Sequence, residues 1–237
     1  MSFSIIRFLL WGALALGSDL ASASGAAFED SMAQRTLACT ACHGDQGRAG
    51  PDGYYPRLAG KPAGYLYNQL MNFREGRRHY NLMTGLLDPL STAYLKDIAE
   101  YFSALELPYP APRPTTATPE VLKRGETLAM RGDPSRTIPA CAQCHGEALT
   151  GVEPGVPGLL GLPRDYLNAQ LGSWITGQRR AQAPDCMAKV TRRMTAEDVT
   201  AVSSWLASRP LPGNTRPAKA RLASAPAANA APCGNAP

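Results

Sequence analysis

The sequence predicts an all-α protein built from two tandem, similar domains. Three observations predict it. The string Cys39-Thr40-Ala41-Cys42-His43 recurs 102 residues later as Cys141-Ala142-Gln143-Cys144-His145. Tyr65, Leu66, Gln69, Leu70 and Phe73, at helical spacing, recur at an offset of 101 as Tyr166, Leu167, Gln170, Leu171 and Trp174. Each copy then closes on an apolar helical stripe. In the first it is Leu95, Ile98, Phe102 and Leu105, and in the second Val199, Val202, Trp205 and Leu206.

The chain begins with the marks of a cleaved export signal over residues 1–23. Arg7 precedes the apolar run from Phe8 to Gly17, and Ala21-Ser22-Ala23 offers an A-x-A cleavage site. The run falls short of the roughly 18 apolar residues that a membrane span needs, and Asp19 interrupts it. The expected product is periplasmic, soluble or peripherally associated with the membrane. The first domain is expected over residues 24–111. A helix from Phe28 to Ala38 runs into the first motif, and Gly44 to Gly53 is a loop rich in Gly, Asp and Pro. Pro62 to Arg74 is a second helix, and Gly76 to Asn81 a basic turn. Ser91 caps the last helix. Leu107 to Thr118, with four prolines, is an extended linker.

The second domain is expected over residues 112–208. It repeats the order with a helix from Pro119 to Met130, the second motif, and the helix carrying Tyr166 to Trp174. Thr195-Ala196-Glu197-Asp198 resembles a capping box with Asp in place of Glu. Residues 209–237 are rich in Ala and Pro and carry scattered positive charge. They lack the apolar content to order themselves and are expected to be a flexible tail.

The chain has 237 residues and 44% hydrophobic content, enough for a core, with 22 Gly and 21 Pro that point to many loops. Its formal charge of +5 is largely a property of the tail, which holds Arg209, Arg216, Lys219 and Arg221 and contains no Asp or Glu. Residues 24–208 carry only +1. That balance argues against a nucleic-acid partner, which wants a clustered basic face.

C-x-x-C-H is the signature of covalent haem attachment. Two thiols add across the two vinyl groups, and the adjoining histidine supplies an imidazole nitrogen to the iron. Cys39, Cys42, Cys141 and Cys144 are therefore candidate thioether residues, and His43 and His145 candidate axial ligands, for two haem c groups. Their four propionates would leave the body mildly acidic. A zinc site is the other use of C-x-x-C pairs, and the adjoining histidines and the export signal argue against it. For the second axial position, Met83 follows His43 by 40 residues and Met187 follows His145 by 42. Each stands seven residues before the start of the final helix, at Leu90 and Met194. A thioether is a soft ligand that raises the potential. Met130 and Met194 lie in or beside apolar stripes, and Met71 inside a helix. His79 sits in a polar turn with no counterpart in the other half.

These residues resemble the dihaem cytochrome c4 family over nearly all of residues 28–208. The resemblance is carried by the two C-x-x-C-H motifs, Tyr55-Pro56-Arg57-Leu58-Ala59-Gly60 and Met83-Thr84-Gly85-Leu86-Leu87. In the second half Ile138-Pro139-Ala140-Cys141, Val156-Pro157-Gly158-Leu159, Met187 and Ser203-Ser204-Trp205-Leu206 carry it. It implies two tandem class I cytochrome c domains, each wrapped around one covalently attached haem. It implies His43 and Met83 on one iron and His145 and Met187 on the other. The carbonyls of Pro56 and Pro157 would accept the imidazole N–H groups, a bond that fixes ring orientation. It also implies an exported respiratory electron carrier. Its donor would be a quinol-oxidising complex or dehydrogenase, and its acceptor a terminal oxidase. The chain departs from the family at Leu160-Gly161-Leu162-Pro163, where a Gly-Gly-Gln-type stretch is usual.

Cys186 and Cys233 remain unassigned, an even number in an oxidising compartment. One arrangement is a disulfide that ties the tail across the second haem's distal side. Another is a Cys186 thiolate on the iron in place of Met187. The leading expectation is a carrier of single electrons with no substrate chemistry of its own. A dihaem oxidoreductase acting on a sulfur compound or peroxide, at an open or cysteine-ligated haem, is the alternative. A third form is a carrier dedicated to one dehydrogenase.

Overall fold

The computed structural model describes residues 29–50, 52–112, 114–219 and 233–234. The export signal expected over residues 1–23 lies outside the described residues, as does Phe28. The helix expected before the first motif is broken in two, α1 (Met32–Arg35) and α2 (Leu37–His43). Ser31 caps α1 by accepting from Gln34 N. The cause of the break is Thr36, which is fully buried and donates its hydroxyl to Met32 O at 2.7 Å. A side-chain bond back to the preceding turn competes with the helical ladder and bends it.

Two longer helices frame the rest of the first half. α3 (Ala63–Arg74) begins after Pro62, and α5 (Thr92–Ala104) begins at Ser91, whose hydroxyl accepts from Tyr94 N at 3.2 Å. Between them lies a short helix, α4 (Asn81–Leu87). Their facing sides close a core of Leu66, Phe73, Leu87, Leu95, Ile98, Ala99 and Phe102. The proline-rich linker then runs without helix, held by one buried side chain. Arg57 donates to the carbonyls of Ala59, Leu107 and Pro108, and stacks on the Tyr109 ring at 3.9 Å.

The second half comprises α6 (Pro119–Met130), α7 (Cys141–His145), α8 (Arg164–Ile175), α9 (Cys186–Thr191) and α10 (Ala196–Ser208). A short antiparallel hairpin, β1 (Gly151–Val152) with β2 (Val156–Pro157), lies between α7 and α8. α6 crosses α10 at backbone contact. A Cβ on Gly125 would stand 2.2 Å from Ala201 O, so no side chain fits there. The core joins Leu128, Ile138, Leu149, Leu160, Leu167, Val202, Trp205 and Leu206.

The halves meet through residues that are copies of one another. Arg78 and Arg179 form an antiparallel bridge, flanked by His79 N to Gln178 O at 3.2 Å and Arg180 N to Arg77 O at 2.7 Å. Arg78 donates to Gln69 at 3.1 Å and to Gln170 at 2.7 Å. Arg179 donates to the same two amide oxygens, at 2.8 and 2.6 Å. Each guanidinium covers an aromatic ring of its own half, Arg78 over Phe73 and Arg179 over Trp174. The Gln, Arg and aromatic pairs all stand 101 residues apart, so the network is close to two-fold symmetric.

The tail departs from expectation. Residues 209–219 follow the second half rather than hanging free. Arg209 sits over the Trp205 ring and Leu211 packs on the core. Ala218 exchanges backbone bonds with Gly151 O at 2.9 Å and Glu153 N at 2.8 Å. Arg216 pairs with Glu106. The segment has no core of its own and is ordered by a surface that offers partners for its backbone.

The capping box at Thr195 and Asp198 is present, and Asp198 does more than cap. Its fully buried carboxylate accepts from Arg124 and from Arg136, each at 2.5 Å, as well as from Thr195 N at 2.9 Å. Burial pushes this carboxyl up, but those bonds more than offset it and leave it at about 2. A carboxylate depressed in the folded state contributes stability that is complete above its unfolded value of about 4 and is lost as pH falls through about 2. Asp198→Asn should destabilise the fold by roughly 1–2 kcal/mol at pH 7, because two partly exposed guanidinium groups lose the charge of a buried carboxylate. It should also flatten the decline of thermal stability between pH 4 and pH 2. Parallel melting curves that keep the native slope in the variant would refute this role.

Candidate cofactor site

Each C-x-x-C-H string ends a short helix, with the histidine at the last position of α2 or α7. Helical spacing of three and four residues puts the second cysteine and the histidine on the face of the first. Cys39 and Cys141 are half-buried, Cys42 and Cys144 exposed, and both histidines buried. Gly44 and Gly146 follow with φ of +76° and +85°, a backbone turn that frees each histidine from the chain beyond it.

The two histidines are oriented in the same way. His43 Nδ1 lies 2.8 Å from Pro56 O, and His145 Nδ1 lies 2.7 Å from Pro157 O. A carbonyl can only accept, so Nδ1 carries the hydrogen and Nε2 is the nitrogen left for a ligand. Burial pushes both imidazoles below their ordinary pKa, only partly offset by the proline carbonyls. The neutral form that binds metal is therefore favoured. Burial also pushes the Cys141 thiol up to about 11.

A cavity of about 1170 Å³ connects both motifs. Cys39, Cys42, His43, Cys141, Cys144 and His145 line it, as do Pro56 and Pro157. Met83 reaches it from α4 and Met187 from α9. Asp185 sets the start of α9 by accepting from Ala188 N at 3.0 Å and Ala181 N at 2.7 Å. Among the other candidates, Met194 also lines the cavity, Met71 packs on the first core, and Met130 is exposed and outside it. His79 stands exposed at its edge. The residues present fit two flat apolar rings. The cavity offers paired thiols, a preset imidazole nitrogen and a thioether sulfur in each half.

Cys186 and Cys233 are joined in a disulfide with Cα atoms 5.6 Å apart. Gly234 N donates to Pro184 O at 3.0 Å beside it. Both cysteines line the cavity next to Met187. Sequence reasoning missed α4 and α9, and it missed Arg78, Arg179 and Lys61, which also face the cavity. The arginines were within reach of the 101-residue offset. Lys61 carried no such signal, because its counterpart is Leu162.

The cytochrome c family model matches residues 122–210. A "thiosulfate dehydrogenase electron acceptor" from Thiomonas intermedia is 42% identical over 73% of this chain and 79% of its own length. A second protein so described, from Stutzerimonas stutzeri, is 36% identical over the same shares. Cytochrome c4 from Pseudomonas aeruginosa is 32% identical over 73% of this chain and 84% of the relative. Among solved structures, reduced cytochrome c4 from Pseudomonas stutzeri superposes with a TM-score of 0.65 at 32% identity, over 74% of this chain and 95% of that one. Thiosulfate dehydrogenase (TsdBA) from Marichromatium purpuratum gives 0.66 at 33% identity, over 73% of this chain. This chain spans only 36% of that longer one.

The disulfide closes a loop of 47 residues. A loop of that length is worth about 4 kcal/mol in chain entropy when it closes without strain. Cys233→Ser should therefore lower the thermal midpoint of the holoprotein by several degrees, and a reductant should do the same to the native protein. Unchanged melting under both conditions would show that the bridge carries no stability.

Proposed function

The chain belongs to the dihaem cytochrome c4 family, and from that premise we propose that it is an exported one-electron carrier reduced by a thiosulfate dehydrogenase. Haem c supplies reversible one-electron chemistry in each half. Cys39 and Cys42 would hold one ring and Cys141 and Cys144 the other. His43 and His145, kept neutral and aimed by Pro56 and Pro157, would each offer the iron an imidazole nitrogen. Met83 and Met187 would each offer it a thioether sulfur.

One observation carries the reading. The same set, a cysteine pair, a histidine on a proline carbonyl and a methionine, lines one cavity twice. A histidine and a methionine together leave no position for a substrate, which suits electron transfer. A thioether also favours ferrous iron and raises the potential, as an acceptor requires. The bond from Cys186 to Cys233 occupies the sulfur that would otherwise compete with Met187, and so supports the methionine. The choice of donor rests on the two relatives named for that role, at 42% and 36% identity. No helix among the described residues is long and apolar enough to cross a membrane.

Mixed with a thiosulfate dehydrogenase and thiosulfate, the oxidised protein should be reduced at both haems, followed by visible absorbance. Reduction of a cytochrome c4 control but not of this protein would sink the donor assignment. Met187→Ala should open one iron. The reduced variant is expected to bind one carbon monoxide per chain where the native protein binds none. Carbon monoxide binding by the native protein at ordinary rates would instead favour a dihaem enzyme.

A further inference from the structure

The bond between Cys186 and Cys233 stands where a strap for stability alone has no need to be. Cys186 is the first residue of α9 and Met187 the second. Both line the cavity, as does Cys233. Both cysteines are partly exposed, so thiols in solution have access to the bridge. In the first half the residue before the matching Met83 is Leu82, which also lines the cavity but has no donor atom. A sulfur beside the methionine is therefore peculiar to the second site.

The far end of the bridge has little other anchorage. Gly234 N donates to Pro184 O at 3.0 Å, and a Cβ on Gly234 would stand 2.3 Å from Ala183 O, so the chain passes here at backbone contact. Upstream, Ala218 is held to Gly151 and Glu153 by its own two backbone bonds, which do not involve the bridge. At six residues, α9 is too short to be stable by itself. Its start is fixed by Asp185, which accepts from Ala188 N and Ala181 N, and by the bridge. Opening the bridge removes one of these two restraints and leaves a free sulfur next to the methionine. Neighbouring residues on a helix point about 100° apart, so a turn of the first residues of α9 brings one sulfur to the place of the other.

We propose that the Cys186–Cys233 bond is a thiol–disulfide exchange site, opened by a dithiol, and that its opening exchanges Met187 for Cys186 on the second iron. The dithiol supplies two electrons and two protons. One of its sulfurs attacks the bridge and the S–S bond breaks. Its second sulfur then closes the dithiol to its own disulfide and leaves both cysteines as thiols. On ferric iron the bond to the Met187 sulfur breaks, a bond to the Cys186 sulfur forms, and the thiol proton passes to water. No electron moves in that last step. A thiolate stabilises ferric iron where a thioether favours ferrous, so the second haem becomes harder to reduce while the first is unchanged. The inference rests on Met187 as the ligand of the second iron, and not on the identity of the electron donor.

The test uses paramagnetic-resonance and visible spectra of the oxidised holoprotein, which separate thiolate from thioether on iron and need no partner. The native protein should show thioether ligation at both irons. Cys233→Ser, which frees Cys186 with no reductant present, should show one thiolate and one thioether. In a redox titration its second haem should shift at least a hundredfold toward the oxidised form, ~120 mV at 59 mV per tenfold for one electron. Adding Cys186→Ser to that variant should return both irons to thioether. Two thioether spectra in Cys233→Ser alone would overturn the switch, whereas a native protein lacking thioether on one iron would overturn the ligand reading beneath it. Should Cys233→Ser fail to assemble, the native holoprotein carries the test. Incubated with dithiothreitol and alkylated without unfolding, it should gain two labels. Desalted under argon instead, oxidised with ferricyanide and frozen at once, it should give the mixed spectrum. No label, or two thioether spectra, would count equally against the proposal.

Discussion

The hydrogen bond from each buried histidine to a proline carbonyl is the constraint on which the rest of the molecule depends. It spans 13 residues in the first half and 12 in the second. It ties the motif helix to the loop that leads into α3 or α8. Without it the imidazole could rotate, and the thiols one turn away would no longer share a face with a fixed nitrogen. With it, Nε2 has one direction, and the chain that supplies the methionine must come round to the opposite side. The length of the intervening helix, α3 or α8, sets how far the chain travels before it returns at α4 or α9.

Duplication explains how the two sites came to face one cavity. Gln69 and Arg78, which line the cavity, share one hydrogen-bonded network with their own copies across the junction. An interface of this kind resembles that of a symmetric dimer, in which one patch is self-complementary. Here the two patches lie in one chain, so they are free to diverge. Lys61 opposite Leu162 is one such divergence, and Arg57 opposite Gly158 is another. In the second pair the small residue leaves its carbonyl open to the lysine of the other half. The large residue of the first half turns away and holds the linker instead.

Most of the helical order was legible in the sequence, because α3, α5, α6, α8 and α10 have the length and the stripe that reveal an amphipathic helix. α4 and α9 were not. At seven and six residues they are too short to show a period; Asp185 caps α9, while α4 has no side-chain cap and is held by its neighbours. The break at Thr36 was hidden for a related reason, since a hydroxyl turned back on its own helix looks like any buried threonine. The thioether and histidine candidates could be read from two strings of five residues. Lys61 could not, because its bond to Gly158 O appears only when the two halves are packed together. The order of residues 209–219 was hidden by their composition. Ala and Pro cannot form a core, but Ala218 needs only two backbone partners on β1, and it finds them.

The disulfide bears on the chemistry as well as on the tail. Cys186 is the first residue of α9 and Met187 the second, so the bridge and the methionine share one helical turn. A free thiolate at Cys186 would be a stronger donor than the thioether and would pull the potential of the second site down. Bonding that sulfur to Cys233 removes the competitor and anchors the start of α9 from outside, while Asp185 anchors it from within. The tail therefore closes the distal wall of one site only. Among the described residues the first half has no such strap, and there Leu82 and Leu86, on the helix that carries Met83, line the cavity itself. Two sites descended from one ancestor have thus been walled differently.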